Sequence, residues 1–256
     1  MRILLAIPTS GNPTVPFLDS LRDLRLPDDA MAFDRLTIAG NFVPGQRELA
    51  ARRALNMGAD ILIMVDDDMV LPPDAFIDLL AALAANPQLG VVAALYYSRD
   101  GLRPMAASNW NSSDTTTAAI PAFGDELIFC DAVGFGCAAI RVSALSSMPP
   151  PFFNTQVYVE EQAARVRICN EDYLFCEDLR RGGWLVALHA GVRCKHYDRV
   201  NRVAYPLKWE APATTSVKRM MVVEPGPTYR ILPYDSSVPT KAERHMSASI
   251  DYIIVD

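Results

Sequence analysis

Residues 61–74, Ile-Leu-Ile-Met-Val-Asp-Asp-Asp-Met-Val-Leu-Pro-Pro-Asp, decide how the chain is read. Ile61 to Val65 is a short, β-branched apolar run, which predicts a strand buried on both faces of a sheet. It stops at three carboxylates, Asp66, Asp67 and Asp68. Side chains alternate along a strand, so Asp66 and Asp68 lean one way and Asp67 the other. Two carboxylates converging at the end of a buried strand repel each other unless a cation lies between them. A hard divalent ion, Mg²⁺ or Mn²⁺, suits oxygen ligands and keeps positions open for substrate phosphates. The run therefore predicts a metal–diphosphate site. A plainer account makes the triplet an acidic turn before the next helix, and Asp74 after Pro72 and Pro73 does fit a helix start. That account leaves three adjacent acids at a buried strand end unexplained.

Outward from this run, strand-like and helix-like segments alternate. Arg2 to Ile7 is a predicted strand, Pro8 to Pro16 a loop, Arg35 to Ala39 a second strand, and Gln46 to Met57 a helix stopped by Gly58. Pro73 to Ala85 is a further helix, closed by Asn86-Pro87, and Val91 to Tyr97 a fourth strand. This rhythm predicts an α/β fold with a mostly parallel, helix-covered sheet, whose ligands collect at the carboxyl ends of the strands. Later segments are less regular. Leu102 to Ala122 is polar and reads as a loop or hairpin, and Gly134-Phe135-Gly136 is too small and flexible for a plain strand interior. Asn154 to Arg167 reads as a mobile insertion. The tail from Tyr205 carries strand-like runs at Met220 to Val223 and Ile250 to Val255, which could pair with a neighbouring subunit.

Composition bounds the function. Half of the 256 residues are hydrophobic, enough for a sizeable core, and no run reaches the length of a membrane span. Met1 to Ile7 is too short for a signal-peptide core, which predicts a cytoplasmic protein. Five cysteines without a C-x-x-C pair argue against a disulfide framework; Cys194 and His196 match no standard zinc spacing, so buried free thiols are expected. A formal charge of −6 argues against general nucleic-acid binding. Between Arg193 and Arg219 there is nonetheless a local basic excess: Arg193, Lys195, Arg199, Arg202, Lys208, Lys218 and Arg219. It is either a solvated face or a holder of anionic groups.

A second constellation lies at residues 170–183, Asn-Glu-Asp-Tyr-Leu-Phe-Cys-Glu-Asp-Leu-Arg-Arg-Gly-Gly. Asn170 is a candidate N-cap, Glu171 and Asp172 occupy the first turn, and Gly182-Gly183 ends the helix. Taken alone, the acids suit the helix N-terminus electrostatically and need no other reason. A strand, Trp184 to Leu188, and then His196 follow. Taken together, the Asp triplet, Leu95-Tyr96-Tyr97-Ser98-Arg99, Gly134 to Arg141, Asn170 to Cys176 and His196 resemble, in order and spacing, the GT-A glycosyltransferases. The likeness is to the family-2-like group and its small bacterial and phage relatives, over roughly residues 1–198.

That resemblance implies a GT-A domain over residues 1–204, with a nucleotide-binding half (1–100) and an acceptor-binding half (101–204), and an irregular strand-containing extension at 205–256. It implies that Asp66 and Asp68 form the D-x-D pair, Asp66 facing the ribose or metal and Asp68 binding Mn²⁺ or Mg²⁺, with His196 as a further ligand. Pro8, Thr9, Ser10, Arg47 and Asp67 would border the nucleotide-sugar. Asp172 would be the general base of an inverting transfer, and Glu171 would orient the acceptor. A base at a helix N-terminus is expected to have a depressed pKa. UDP is the favoured nucleotide, while glucose, galactose, N-acetylhexosamines and GDP-mannose all stay open. The acceptor, a glycan, lipid-linked sugar, protein or modified nucleic acid, is open too. Inversion rests on Asp172 alone, and a retaining transferase or a catalytically silent GT-A binding module are the alternatives. A sugar-1-phosphate nucleotidyltransferase ranks lower, because Pro8 to Pro13 lacks the cations its phosphate loop needs.

Overall fold

The computed structural model describes residues 1–28, 32–99, 101–112, 118–119, 124–160 and 165–207. The first half runs β1 (Arg2–Thr9), α1 (Val15–Arg22), β2 (Ala32–Ala39), α2 (Val43–Asn56), β3 (Ile61–Val65), β4 (Met69–Val70), α3 (Ala75–Ala85) and β5 (Leu89–Leu95). Next come β6 (Ala106–Ser108), β7 (Ala118–Ala119), β8 (Leu127–Phe129), β9 (Ala132–Val133), β10 (Cys137–Arg141), α4 (Val142–Ser146), β11 (Gln156–Glu160) and β12 (Arg165–Cys169). The described chain closes with α5 (Glu171–Arg181), β13 (Leu185–Arg193), β14 (Lys195–Asp198) and β15 (Val203–Tyr205).

Seven strands form the central sheet in the order β2-β1-β3-β10-β5-β13-β8. β2, β1, β3, β5 and β13 run one way, and β10 and β8 run against them. Strand alternation divides the core. Leu4, Ala6, Leu62 and Met64 face one side with Ala50, Ala54, Leu145 and Phe175, so α2, α4 and α5 cover it. Ile3, Leu5, Ile61, Ile63 and Val65 face the other with Phe17, Phe76 and Leu79 from α1 and α3. β3 has every residue buried, as a strand covered on both faces requires.

Several sequence expectations change. The Pro8 to Pro16 loop is shorter, because β1 continues through Thr9 and α1 starts at Val15. Thr14 caps α1 by accepting from the Phe17 amide at 3.3 Å, with Pro16 in the first turn. The segment expected as a mobile insertion holds β11 and the start of β12, which continues to Cys169; the two strands pair antiparallel, with Val157 opposite Ile168 and Val159 opposite Val166. The strand expected to end at Leu188 continues to Arg193. The basic residues Lys208, Lys218 and Arg219 and the strand-like runs after Tyr205 lie outside the described residues, as do Ser113 to Thr117. All five cysteines are buried free thiols. No described helix is long and apolar enough to cross a membrane.

β10 inserts antiparallel between β3 and β5, and its approach explains the glycines before it. The Tyr96 ring crosses Gly134 and Gly136, and its hydroxyl accepts from the Gly136 amide at 3.0 Å. A β-carbon at Gly134 would fall 2.2 Å from the Tyr96 oxygen, and one at Gly136 2.7 Å from Tyr96 Cζ.

Candidate active site

β1 and β3 end side by side at the carboxyl edge of the sheet, and the triplet follows β3 there. Asp66 to Asp68 form the turn between β3 and β4, in which the Met69 amide donates to the Asp66 carbonyl at 3.2 Å, and each carboxylate takes different partners. Asp67 accepts from Thr9 Oγ1 at 2.5 Å and from Arg199 Nη2 at 2.6 Å. Thr9 Oγ1 in turn receives the Gly11 amide at 2.9 Å, so the turn after β1 is tied to the triplet. Gln46 holds the same corner from α2, donating to the Thr9 carbonyl at 2.9 Å. Ser10 is exposed beside it.

Arg47 reaches the site because α2 lies close on the sheet. Ala50, Ala51 and Ala54 occupy its buried face, one helical turn and two turns below Arg47, and their small side chains permit close packing. The Arg47 guanidinium donates to both Asp66 oxygens, at 3.0 and 3.1 Å, and to Glu171 Oε1 at 2.7 Å. Its ring-side neighbour is Phe135, 5.6 Å away, itself packed edge-on against Phe175 of α5. Arg47 is 4% exposed. Burial would lower its pKa, but the nearby carboxylates of Asp66, Glu171 and Asp172 outweigh this and hold it firmly charged.

α5 opens at this point. Asn170 takes the N-cap position with extended backbone, without the side-chain capping bond expected of it. Glu171 and Asp172 are buried in the first turn. Asp172 Oδ1 accepts the Tyr173 amide at 2.8 Å, while Oδ2 lies 3.9 Å from Arg47 Nη1, too far for a hydrogen bond. The depressed pKa expected for Asp172 is overturned: it is pushed up to about 7. Burial is the main cause and the neighbouring Glu171 charge the next, and together they exceed the opposing pull of Arg47 and the Tyr173 amide. Burial also raises Asp66, against the pull of Arg47, although its side chain keeps 31% exposure.

His196 arrives by register. β14 pairs antiparallel with β4, setting His196 opposite Met69, and the Tyr197 amide donates to the Asp68 carbonyl at 2.8 Å. His196 Nε2 then lies 3.3 Å from Asp68 Oδ2, and Nδ1 lies 3.1 Å from the Tyr97 carbonyl. A carbonyl only accepts, so Nδ1 carries the proton. Nε2 then faces the carboxylate either as a charged imidazolium or as a neutral nitrogen with a cation between the two. Burial would raise the Asp68 carboxyl, but His196 and Arg99 outweigh it and hold it below its ordinary value. Arg99 Nη2 approaches the same Oδ2 at 3.1 Å. The oxygen and nitrogen donors of Asp68 and His196 thus fit a divalent ion that takes its other ligands from phosphate and water. Among the described residues no group of three or more such side chains converges as a full ligand set.

The geometry therefore gathers Thr9, Arg47, Asp66, Asp67, Asp68, Glu171, Asp172 and His196 at one sheet edge. Of the cations from the basic stretch, Arg199 joins them, whereas Arg193 donates to the Gly124 carbonyl and Asp125, and Arg202 sits in a turn with φ +56°. The sequence assigns no role to Arg99 and does not single out Gln46. Arg99 lies four residues past the end of β5, and only the fold brings it to Asp68. Near α5, Arg180 pairs with Asp131 and donates to the Trp110 carbonyl at 3.0 Å, and Trp110 meets Tyr173 edge-on at 5.4 Å. The Asn109 to Ser112 segment is thereby anchored beside the Glu171-Asp172 turn.

No family model matches the chain, and no curated protein matches it. Solved structures do. A197 from STIV matches with a TM-score of 0.56 at 20% identity, covering 83% of this chain and 97% of that one. GalNAc-T7, solved with UDP, GalNAc and Mn²⁺, matches with a TM-score of 0.55 at 12% identity, covering 77% of this chain and 44% of that one. Identities this low speak to architecture, and the architecture is clear: the chain has a GT-A-like α/β fold built on a seven-stranded, mostly parallel sheet.

Proposed function

We propose that the protein is a metal-dependent glycosyltransferase that moves a sugar from a nucleotide-diphosphate donor, with UDP the favoured nucleotide, to an acceptor hydroxyl with inversion. One observation carries this reading: Arg47 ties the Asp66 end of β3 to Glu171 at the start of α5. A donor-side acid pair and a buried carboxylate of raised pKa thereby share one edge of a GT-A-like sheet. The fold likeness to GalNAc-T7, whose structure holds UDP, GalNAc and Mn²⁺, supports the choice of donor class and metal.

In this reading Asp68 and His196 hold Mn²⁺ or Mg²⁺, which when bound offsets the charge gathering on the leaving diphosphate. Pro8, Thr9 and Ser10 border the nucleotide, with Thr9 fixed by Asp67 and Gln46. Asp66, held by Arg47, faces the ribose or metal. Asp172 accepts the acceptor's proton on Oδ2, because Oδ1 is already occupied by the Tyr173 amide. A carboxyl near 7 is a stronger base than an ordinary one and is still substantially ionised at neutral pH. Glu171, anchored by Arg47, orients the acceptor. Calorimetric titration with UDP and Mn²⁺ tests the donor side. Binding that needs both components and disappears in Asp68→Ala is expected; UDP binding indifferent to metal and to Asp68 would contradict it.

A further inference from the structure

Each aspartate of the triplet has its own arginine, and the three arginines are not equivalent. Arg47 pairs with Asp66 and Arg199 with Asp67, their side chains 4% and 35% exposed. Arg99 pairs with Asp68 while 57% of its side chain stays in solvent. Arg99 Nη2 and His196 Nε2 also converge on one atom, Asp68 Oδ2, at 3.1 and 3.3 Å. Asp68 is 3% exposed, so that oxygen has little room for a third partner.

We propose that Arg99 is an exchangeable cation: it neutralises Asp68 in the free protein, yields that oxygen to a divalent ion, and then holds the diphosphate of the bound nucleotide. The inference rests on the reading in which Asp68 and His196 take the metal. An ion bound to Asp68 and His196 would repel a guanidinium at the same oxygen, so the two cannot share it. Arg99 leaves at small cost, because most of its side chain is already in solvent and the arriving ion takes over the compensation of the buried Asp68 carboxylate. Its backbone stays in place while the side chain swings. The Tyr97–Pro104 bridge and the Ser98-to-Arg103 hydrogen bond at 2.8 Å close its loop, and Gly101 packs beneath Tyr205 of β15. A nucleoside diphosphate brings fresh negative charge to the metal, and a planar guanidinium suits phosphate oxygens. Arg99 and the metal thus compete before nucleotide binds and act together afterwards.

Two equilibrium measurements on wild type and Arg99→Gln test this. Mn²⁺ affinity is read from the electron paramagnetic resonance of the free ion without nucleotide, and UDP affinity is read at saturating Mn²⁺. Arg99→Gln is expected to bind Mn²⁺ about 3- to 5-fold more tightly and, with Mn²⁺ present, to bind UDP about 10-fold more weakly. Failure of either arm overturns the exchange. If Mn²⁺ binding is unchanged in Arg99→Gln but lost in Asp68→Ala, only the exchange falls and the metal reading stands. If neither wild type nor Arg99→Gln, both folded by circular dichroism, binds Mn²⁺ or UDP, the functional reading falls with it.

Discussion

Arg47 Nη1 lies 2.7 Å from Glu171 Oε1, a buried ion pair that joins residues 124 apart in sequence. The same guanidinium holds both oxygens of Asp66, so one cation from α2 fixes the end of β3 against the start of α5. Three carboxylates, Asp66, Glu171 and Asp172, depend on it for compensation.

Removing that cation should therefore be costly. Arg47→Met is expected to lose about 3–5 kcal/mol of stability at pH 7.5, because it leaves buried charge without a partner. Protonating the orphaned acids relieves the loss, so the deficit should shrink as pH falls toward 5. Urea denaturation at both pH values measures it. A deficit that does not change with pH would mean that packing against Phe135, not charge, is what Arg47 supplies.

Asp172 makes an opposite prediction. Its folded pKa, about 7, is above the value of an unfolded aspartate, so its contribution to stability is complete below about pH 4 and is lost as pH rises through 7. Asp172→Asn retains the acceptor for the Tyr173 amide and removes the charge. Relative to wild type it should gain up to about 4 kcal/mol between pH 4 and pH 8. Thermal unfolding across that range checks the sign; a variant no more favoured at pH 8 than at pH 4 would show that Asp172 ionises freely in the fold.

The same raised pKa sets the pH dependence of transfer. With Asp172 as the base, kcat/KM for the acceptor should climb about tenfold per pH unit below 7 and level off above it. Asp172→Asn should lower kcat by about 10²- to 10⁴-fold and abolish the climb. A flat profile in wild type would remove Asp172 from that role.

Tyr96 links the glycine pair to the sheet. Tyr96→Phe leaves the Gly136 amide without its buried acceptor and should cost about 1–3 kcal/mol. Gly136→Ala crowds the same ring and the Met69 sulfur and should cost a similar amount, about 1–3 kcal/mol, by overpacking. Chemical denaturation of both variants measures this, and a neutral Gly136→Ala would show that the ring can withdraw.

Ile61–Val65 was legible to the residue because burial on both faces leaves a continuous apolar run with a sharp polar end. Asp68 lies near enough to Asp66 to raise its carboxyl, but the triplet forms the turn between β3 and β4, where strand alternation no longer applies. α1 was not seen, since eight residues give periodicity little to work on; Thr14 followed by Pro16 was the available signal. The β11–β12 pair left a period-two trace in Val157, Val159, Val166 and Ile168, exposed on one face of two strands, which an expectation of an insertion alone did not use. The pKa of Asp172 was misjudged because local helix electrostatics were visible in sequence, whereas burial beside Glu171 was not. Arg99 and Gln46 belong to the site through pairings between distant segments, and spacing along the chain carries no trace of them.

The most direct test of the account is turnover of a panel of UDP- and GDP-sugars with Mn²⁺ or Mg²⁺ by wild type, Asp68→Ala and Asp172→Asn. The account predicts metal-dependent release of one nucleoside diphosphate by wild type. That release should be lost in Asp68→Ala, while Asp172→Asn keeps donor binding but loses transfer. A folded, metal-loaded protein that binds and turns over none of the donors would contradict it.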